Sequence, residues 1–236
     1  MTDLPPFPGF RPEALAFLRD LRGHNDREWF KPRKATFDDE LMWPARCLVA
    51  DVASEMARSG VPLTADAAGG VFRIYRDTRF SKNKAPYKTH VGVVWSRSGH
   101  KSDDGALYAH IEPGACFLGA GFWSPEPALV RRFRERIAAD PARLLATIAD
   151  VEAADLGGAH ANVEGREPLK RMPRGYEDHA GSDVADALRW KGMVASLPVA
   201  DEDVMRPDFA QRVVAFGRAA LPILEWGWDA GADANP

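Results

Sequence analysis

A chain of 236 residues, 45% hydrophobic and 28% charged, has the composition of a globular protein and enough length to bury most of its apolar surface. Its 31 basic and 34 acidic residues leave a formal net charge of -3, so no global field draws it to DNA or anionic lipid, and any such affinity needs a local patch. The stretch Met1–Phe10 holds Asp3, three prolines and no basic residue, unlike a signal or transit peptide, and no run of about 18 apolar residues suits a spanning helix.

The first third reads as helix. Phe10, Leu15, Leu18 and Leu21 recur at three- to five-residue spacing, with Pro12 near the first helical position and Gly23 just past the end. Asn25 with Glu28 predicts a capping box before a short helix carrying Trp29 and Phe30, ended by Pro32. A longer helix is expected from about Thr36 to Arg58, with Phe37, Leu41, Leu48, Val52 and Met56 on one side, a kink or break at Pro44 and a stop at Gly60. The middle changes period: Val71–Asp77, His90–Trp95, Leu107–Glu112 and Cys116–Trp123 are short, β-branched and aromatic, and read as strands. Pro113-Gly114 fits a type II turn between the last two, and Ser98–Gly105 reads as a hairpin loop or lid. Gly119 and Gly121 lie within a strand pattern and signal a bulge or a close backbone approach.

Helix returns from Pro125, with Leu129, Val130, Phe133 and Ile137, and again after the cap Asp140-Pro141, with Leu144, Leu145 and Ile148. Leu156–His179 reads as loop, with a basic cluster of Lys170, Arg171 and Arg174 near Tyr176. A short helix near Asp183–Trp190, a strand at Met193–Leu197 and a final helix from Pro207 to about Trp226 follow, then a frayed tail after Trp228. Sequential strands with short connections predict an α+β fold, a central antiparallel sheet flanked by N-terminal and C-terminal helices. With no linker, repeat or low-complexity stretch, one domain over residues 1–236 is expected, ordered over about 7–228. Cys47 and Cys116, too few for a disulfide framework or zinc cluster, read as buried free thiols of a cytoplasmic protein.

The chemistry concentrates between Arg73 and Lys88, where the chain reads R-I-Y-R-D-T-R-F-S-K-N-K-A-P-Y-K. Arg73, Arg76, Arg79, Lys82, Lys84 and Lys88 face a single acid, Asp77. Strand alternation sets Arg73, Tyr75, Asp77 and Arg79 on one face, and Phe72, Ile74, Arg76 and Phe80 on the other. Asp77 would be held ionised by the flanking arginines while orienting their guanidinium forks. Asn83 bonds its own backbone in the following turn, which Pro86 stiffens. Planar arginines beside lysine point charges suit a phosphate or carboxylate. The structural alternative is a salt-bridged or solvated surface, with Glu112 or Asp38, Asp39 and Glu40 as partners.

This segment resembles the signature of a bacterial family, found also as a domain in fungal proteins, called domain of unknown function 2461. The signature runs R-x-x-R-D-x-R-F, two or three residues, D or N, then K-x-x-Y. Arg73, Arg76, Asp77, Arg79, Phe80, Asn83, Lys84 and Tyr87 match it at every fixed position. The resemblance implies coverage of nearly the whole chain and carries no established activity with it.

Elsewhere, His90, His110 and Glu112 offer a conceivable His-Glu-His metal site, but no H-x-H or H-x-x-E-H spacing supports it, and no metal or cofactor is expected. Ser81 and Ser124 lack a nucleophile-elbow context, and Trp29, Trp43, Trp190, Trp226 and Trp228 read as packing anchors. The reading of the residues is therefore an anionic small-molecule site using Arg73, Arg76, Asp77, Arg79, Asn83, Lys84, Tyr87 and Lys88, with Glu112 a polar partner. Were a reaction to follow, metal-independent hydrolysis or transfer at a phosphate fits, Glu112 being the better general base and Asp77 the poorer one. A nucleic-acid-binding module and a purely structural Arg-Asp network are the alternatives. No membrane partner is expected.

Overall fold

The computed structural model describes residues 4–232. Helix α1 (Pro12–Gly23) begins at its proline and buries Ala14, Leu15, Phe17, Leu18 and Leu21. The short α2 (Arg27–Phe30) is capped by Asp26, which accepts from the Trp29 amide at 2.8 Å, and not by Asn25 as the capping-box pattern suggested. A 3-10 turn, Lys31–Arg33, leads to α3 (Lys34–Phe37). A π-helical stretch at Asp38–Met42 then joins α3 to α4 (Trp43–Arg58). The break expected at Pro44 takes this form: proline has no N–H to donate to the turn before it, and the wider π turn absorbs the loss.

Strands β1 (Val91–Ser96), β2 (Ala106–Ile111) and β3 (Phe117–Phe122) follow in sequence. The β2–β3 connection is the expected type II turn, with Gly114 at φ 74° and the Ala115 amide donating to the Glu112 carbonyl at 2.8 Å. Helices α5 (Pro127–Ala139) and α6 (Pro141–Ala153) come next; α5 starts at Pro127 instead of Pro125, and Asp140 caps α6 by accepting from the Arg143 amide. Within the stretch read as loop lies a strand, β4 (Asn162–Arg166). It buries only Val163 fully, so its pattern is too weak to read, and its antiparallel pairing with β5 (Gly192–Pro198) defines it. A short α7 (Ala185–Arg189) lies between them. After a short, unforeseen α8 (Asp201–Val204), the helix expected from Pro207 to Trp226 is two pieces, α9 (Phe209–Ala219) and α10 (Leu221–Ala232). Pro222, with no amide to donate, enforces the last break. Because α10 continues to Ala232, the frayed tail expected after Trp228 is helical that far, and its remainder lies outside the described residues.

The five strands form one antiparallel sheet in the order β1-β2-β3-β5-β4, flanked by N-terminal and C-terminal helices. No strand forms at Val71–Asp77. That segment makes single antiparallel bridges only, Val71 to Val93 and Tyr75 to Tyr87. Its backbone follows β1 briefly (Phe72 amide to Gly92 carbonyl, 2.9 Å) and then folds back on itself (Arg76 amide to Pro86 carbonyl, 2.9 Å; Lys88 amide to Ile74 carbonyl, 2.8 Å). The result is an irregular hairpin, in which Pro86 has no amide to extend the ladder.

The described chain divides into two compact units. The first runs through Lys101 and adds Tyr108–Leu118 and Pro198–Val214. Its interior is aromatic: Phe17, Phe30 and Phe37 meet edge-on or tilted, and the Trp95 indole donates to the Val49 carbonyl at 3.0 Å. The second comprises Ser102–Leu107, Gly119–Leu197 and the chain from Ala215. Phe122, Phe133 and Trp226 form its centre. Gly121, at φ 142°, is the close approach its strand context suggested: a Cβ there would lie 2.3 Å from the Met193 carbonyl oxygen. Both cysteines are free and buried. No helix among the described residues is long and apolar enough to cross a membrane.

Candidate functional site

At the outer end of the hairpin, most polar atoms of the cationic segment are directed back onto the hairpin. Arg79 grips Asp77 through two of its guanidinium nitrogens, Nε to Oδ1 at 3.0 Å and Nη2 to Oδ2 at 2.6 Å, and its amide donates to Oδ1 as well. These bonds, with the charge of Arg73, hold the Asp77 carboxyl below the usual carboxylate range although it is exposed. Arg76 reaches across to the Ala85 carbonyl at 3.0 Å, Lys84 donates to the Thr78 carbonyl at 3.0 Å, and Asn83 accepts from the Ala85 amide at 2.9 Å as its turn chemistry predicted. Alternation holds at Ile74 (5% exposed) and Tyr75 (54%), but fails at Phe80, which should share the inner face and is 96% exposed. No strand extends that far.

The inner end is different. Tyr87 is buried and stacks on Phe30 with centroids 4.2 Å apart. Its backbone is clamped by Asn25, whose side chain donates to the Tyr87 carbonyl and accepts from its amide, both at 3.0 Å. Next to it, the ammonium groups of Lys88 and Lys101 lie 5.2 and 4.8 Å from the centre of the Phe72 ring. Lys101 also donates to the Val71 carbonyl. Arg73 is close enough to act on both: burial first, then Arg73, pushes Lys88 below the usual lysine range, and burial, Lys88 and Arg73 do the same to Lys101. Among the described residues, no carboxylate is ion-paired with Arg73, Lys88 or Lys101.

Phe72 links this cationic end to a polar row on β2, since its ring meets Tyr108 edge-on at 6.1 Å. Alternation along β2 turns Leu107, Ala109 and Ile111 inward and leaves Tyr108 and His110 half-buried, with Glu112 just past the strand. His110 Nε2 donates to Glu112 Oε2 at 3.0 Å, and the Tyr108 hydroxyl, 3.0 Å from Nδ1, donates to that nitrogen. Thr89 and Arg22 both donate to Glu112 Oε1, each at 2.9 Å. His90, immediately before β1, places its ring 4.2 Å from that of His110. Gly92 makes room for the row, because a Cβ there would lie 2.6 Å from the Tyr108 hydroxyl.

The model of the conserved hypothetical protein family DUF2461 matches residues 13–226. The chain belongs to that family. Neither the curated proteins nor the solved structures contain a match to it. In this DUF2461 protein the signature residues Arg76, Asp77, Arg79, Asn83 and Lys84 bind to the hairpin's own atoms, Tyr87 is a packing residue, and Arg73 alone of the signature cations stands beside Lys88.

The electrostatics of the row follow from burial. His90 is pushed down to about 4 by burial, then by the charge of His110, and is therefore neutral at pH 7. Tyr108 is pushed up to about 12 by burial and then by Glu112. Burial acts to raise Glu112, but the bonds from His110 and Thr89, with the two neighbouring imidazoles, outweigh it and hold the carboxyl below its usual range.

Reading the sequence missed Lys101, Tyr108, Thr89 and Arg22. Lys101 sat in a polar loop with nothing to link it to Phe72, and Arg22 in the last turn of α1 with nothing to link it to Glu112. The second unit of the DUF2461 protein adds a cleft of about 360 Å³ among Trp123, Arg131, Arg134, Arg166, Glu167 and Lys191, also unforeseen. There Arg166 stacks 3.5 Å from the Trp123 ring centre, and Arg134 donates to the Leu188 and Trp190 carbonyls. The basic residues Lys170, Arg171 and Arg174 are exposed.

Proposed function

We propose that this protein binds a small ligand bearing a phosphate or carboxylate at the inner end of the hairpin, with Arg73, Lys88 and Lys101 as its contacts. One observation carries the reading: two lysines face one aromatic ring, Arg73 is near enough to act on both, and among the described residues none of the three has a carboxylate partner, at a cost in mutual repulsion that an anion would relieve. Lysine and arginine heads presented together over an apolar floor suit a charged group attached to an organic body. In this reading Arg76, Asp77, Arg79, Asn83, Lys84 and Tyr87 shape the hairpin that carries Arg73 and Lys88, and act on the ligand only through them.

Thermal-shift screening of nucleotides, sugar phosphates and carboxylates, in chelator-containing buffer, tests this. A ligand that stabilises the wild type should bind Lys88→Met and Arg73→Ala ~10- to 100-fold more weakly, the worth of a charge-assisted hydrogen bond. Equal binding by both variants removes the site.

A second reading rests on Phe80, fully exposed at the tip beside Lys82, Lys84 and the Asp77–Arg79 pair. An aromatic face among cations is how single-stranded nucleic acid is held, by base stacking and phosphate contact. Such binding would weaken steeply with salt and be lost in Phe80→Ser, while Lys88→Met retained it.

A further inference from the structure

We propose that His90, His110 and Glu112 form a binding site for a divalent transition-metal ion of the zinc class. One ligand atom from each residue lies within 4.8 Å of the other two. His110 Nε2 and Glu112 Oε2 stand 3.0 Å apart. Two atoms each about 2.0–2.1 Å from one ion are separated by about 3.0–3.4 Å, so this pair already has the bite that a metal requires. His90, whose ring centre lies 4.2 Å from that of His110, completes the set by turning its ring towards the pair.

The groups behind the ligands suit the same role. Arg22 and Thr89 both take Glu112 Oε1 and leave Oε2 facing the histidines. Tyr108 stands at Nδ1 of His110. On metal binding the ring proton moves from Nε2 to Nδ1, Nδ1–H donates to the Tyr108 oxygen, and Nε2 gives its lone pair to the ion. A partner on the far nitrogen of a ligating histidine is the usual outer support of such sites.

The ligand set also selects the ion. Magnesium and calcium rely on several oxygen ligands, whereas here a single carboxylate is accompanied by two imidazoles, with Arg22 and Lys88 nearby. Two imidazoles and one carboxylate suit zinc, cobalt or iron(II), and three protein ligands leave a coordination position open. The sequence reading discounted this cluster for lack of a spacing motif. The three residues come from β2, its end and the residue before β1, so pairing between neighbouring strands assembles them, and no single helix or hairpin spacing records it.

The test is metal content and affinity of the intact protein. After stripping with a chelator, reloading with zinc and dialysis into metal-free buffer, the wild type and His179→Ala should each retain about one zinc per chain. Zinc affinity should fall by more than ~100-fold in Glu112→Gln and His90→Asn, and by ~10-fold in Tyr108→Phe, the usual cost of losing an outer-shell partner. Cobalt(II) added to the stripped wild type should shift the ring protons of His90 and His110 in NMR spectra, and leave those of His24, His100, His160 and His179 in place. That readout decides the matter even where a variant fails to fold. Wild-type protein holding far less than one zinc per chain, folded variants binding as tightly as wild type, or cobalt shifts confined to the other histidines would each overturn the proposal. Anion binding by the Lys88 end is read in chelator, so the two sites can fail separately.

Discussion

The two ends of the Arg73–Lys88 hairpin carry the same residue types and use them in opposite ways. At the tip, Asp77, the Ala85 carbonyl and the Thr78 carbonyl answer Arg79, Arg76 and Lys84, and every one of these bonds closes within nine residues, inside the hairpin itself. At the base, Lys88 and Arg73 meet Lys101 and an aromatic ring, with no acid among them. The tip cations Arg76, Arg79 and Lys84 find acceptors within the hairpin, whereas among the described residues those at the base have no carboxylate partner. A dense run of arginines and lysines is therefore weak evidence for a ligand until the partners of each are known. The informative cations are the ones that the fold leaves facing each other.

The largest expected effect that tests this contrast is at the base. Tyr87→Ala removes a buried ring stacked on Phe30 and should cost ~3–5 kcal/mol in denaturant unfolding, taking anion binding with it. A stable Tyr87→Ala protein would show that the base is not anchored as described. A pH effect of up to about 3 kcal/mol comes next. His90 drops from 6.5 to about 4 on folding, so below 6.5 the unfolded chain takes a proton that the folded chain refuses. Stability should accordingly be full above 6.5, fall as the pH drops from 6.5 towards 4, and owe nothing further to His90 below that. Metal-free His90→Asn should lose that portion of the slope.

Asn25→Ala should destabilise by about 2 kcal/mol, because it strips two partners from the half-buried Tyr87 backbone. Hydrogen exchange should quicken at Tyr87 and Lys88 before it does so at β1. At the other extreme, Asp77→Asn should leave the melting midpoint unchanged, since the Asp77–Arg79 pair is exposed and short-range. A clear loss of stability there would mean that the tip is as structural as the base, and the contrast would collapse.

Legibility followed the same division. The Pro113-Gly114 turn, the Asp140 cap, the Asn83 turn bond and the strand at β2 are set by residues adjacent or a few positions apart, and pattern alone identified them. The Asn25 capping box was a misreading, since both Asn25 and Asp26 suit that place, and only the fold showed Asn25 engaged 62 residues away. β4 escaped notice because a strand with one fully buried residue has no pattern of its own, and its pairing with β5 supplies the definition. The Val71–Asp77 segment has strand composition, but its backbone partners allow only single bridges.

By itself the sequence determined the α+β class, the three sequential strands, the two free thiols and, through the Arg73–Tyr87 signature, the DUF2461 family. These rest on composition, periodicity and short-range turn chemistry, which a linear chain displays directly. The tertiary structure decided which cations stand without a carboxylate partner among the described residues, that Lys101 joins Lys88 over Phe72, and that His90 and His110 stand 4.2 Å apart with Glu112 beside them. Those juxtapositions depend on strand register and on contacts between segments far apart in the chain, and no local spacing encodes them.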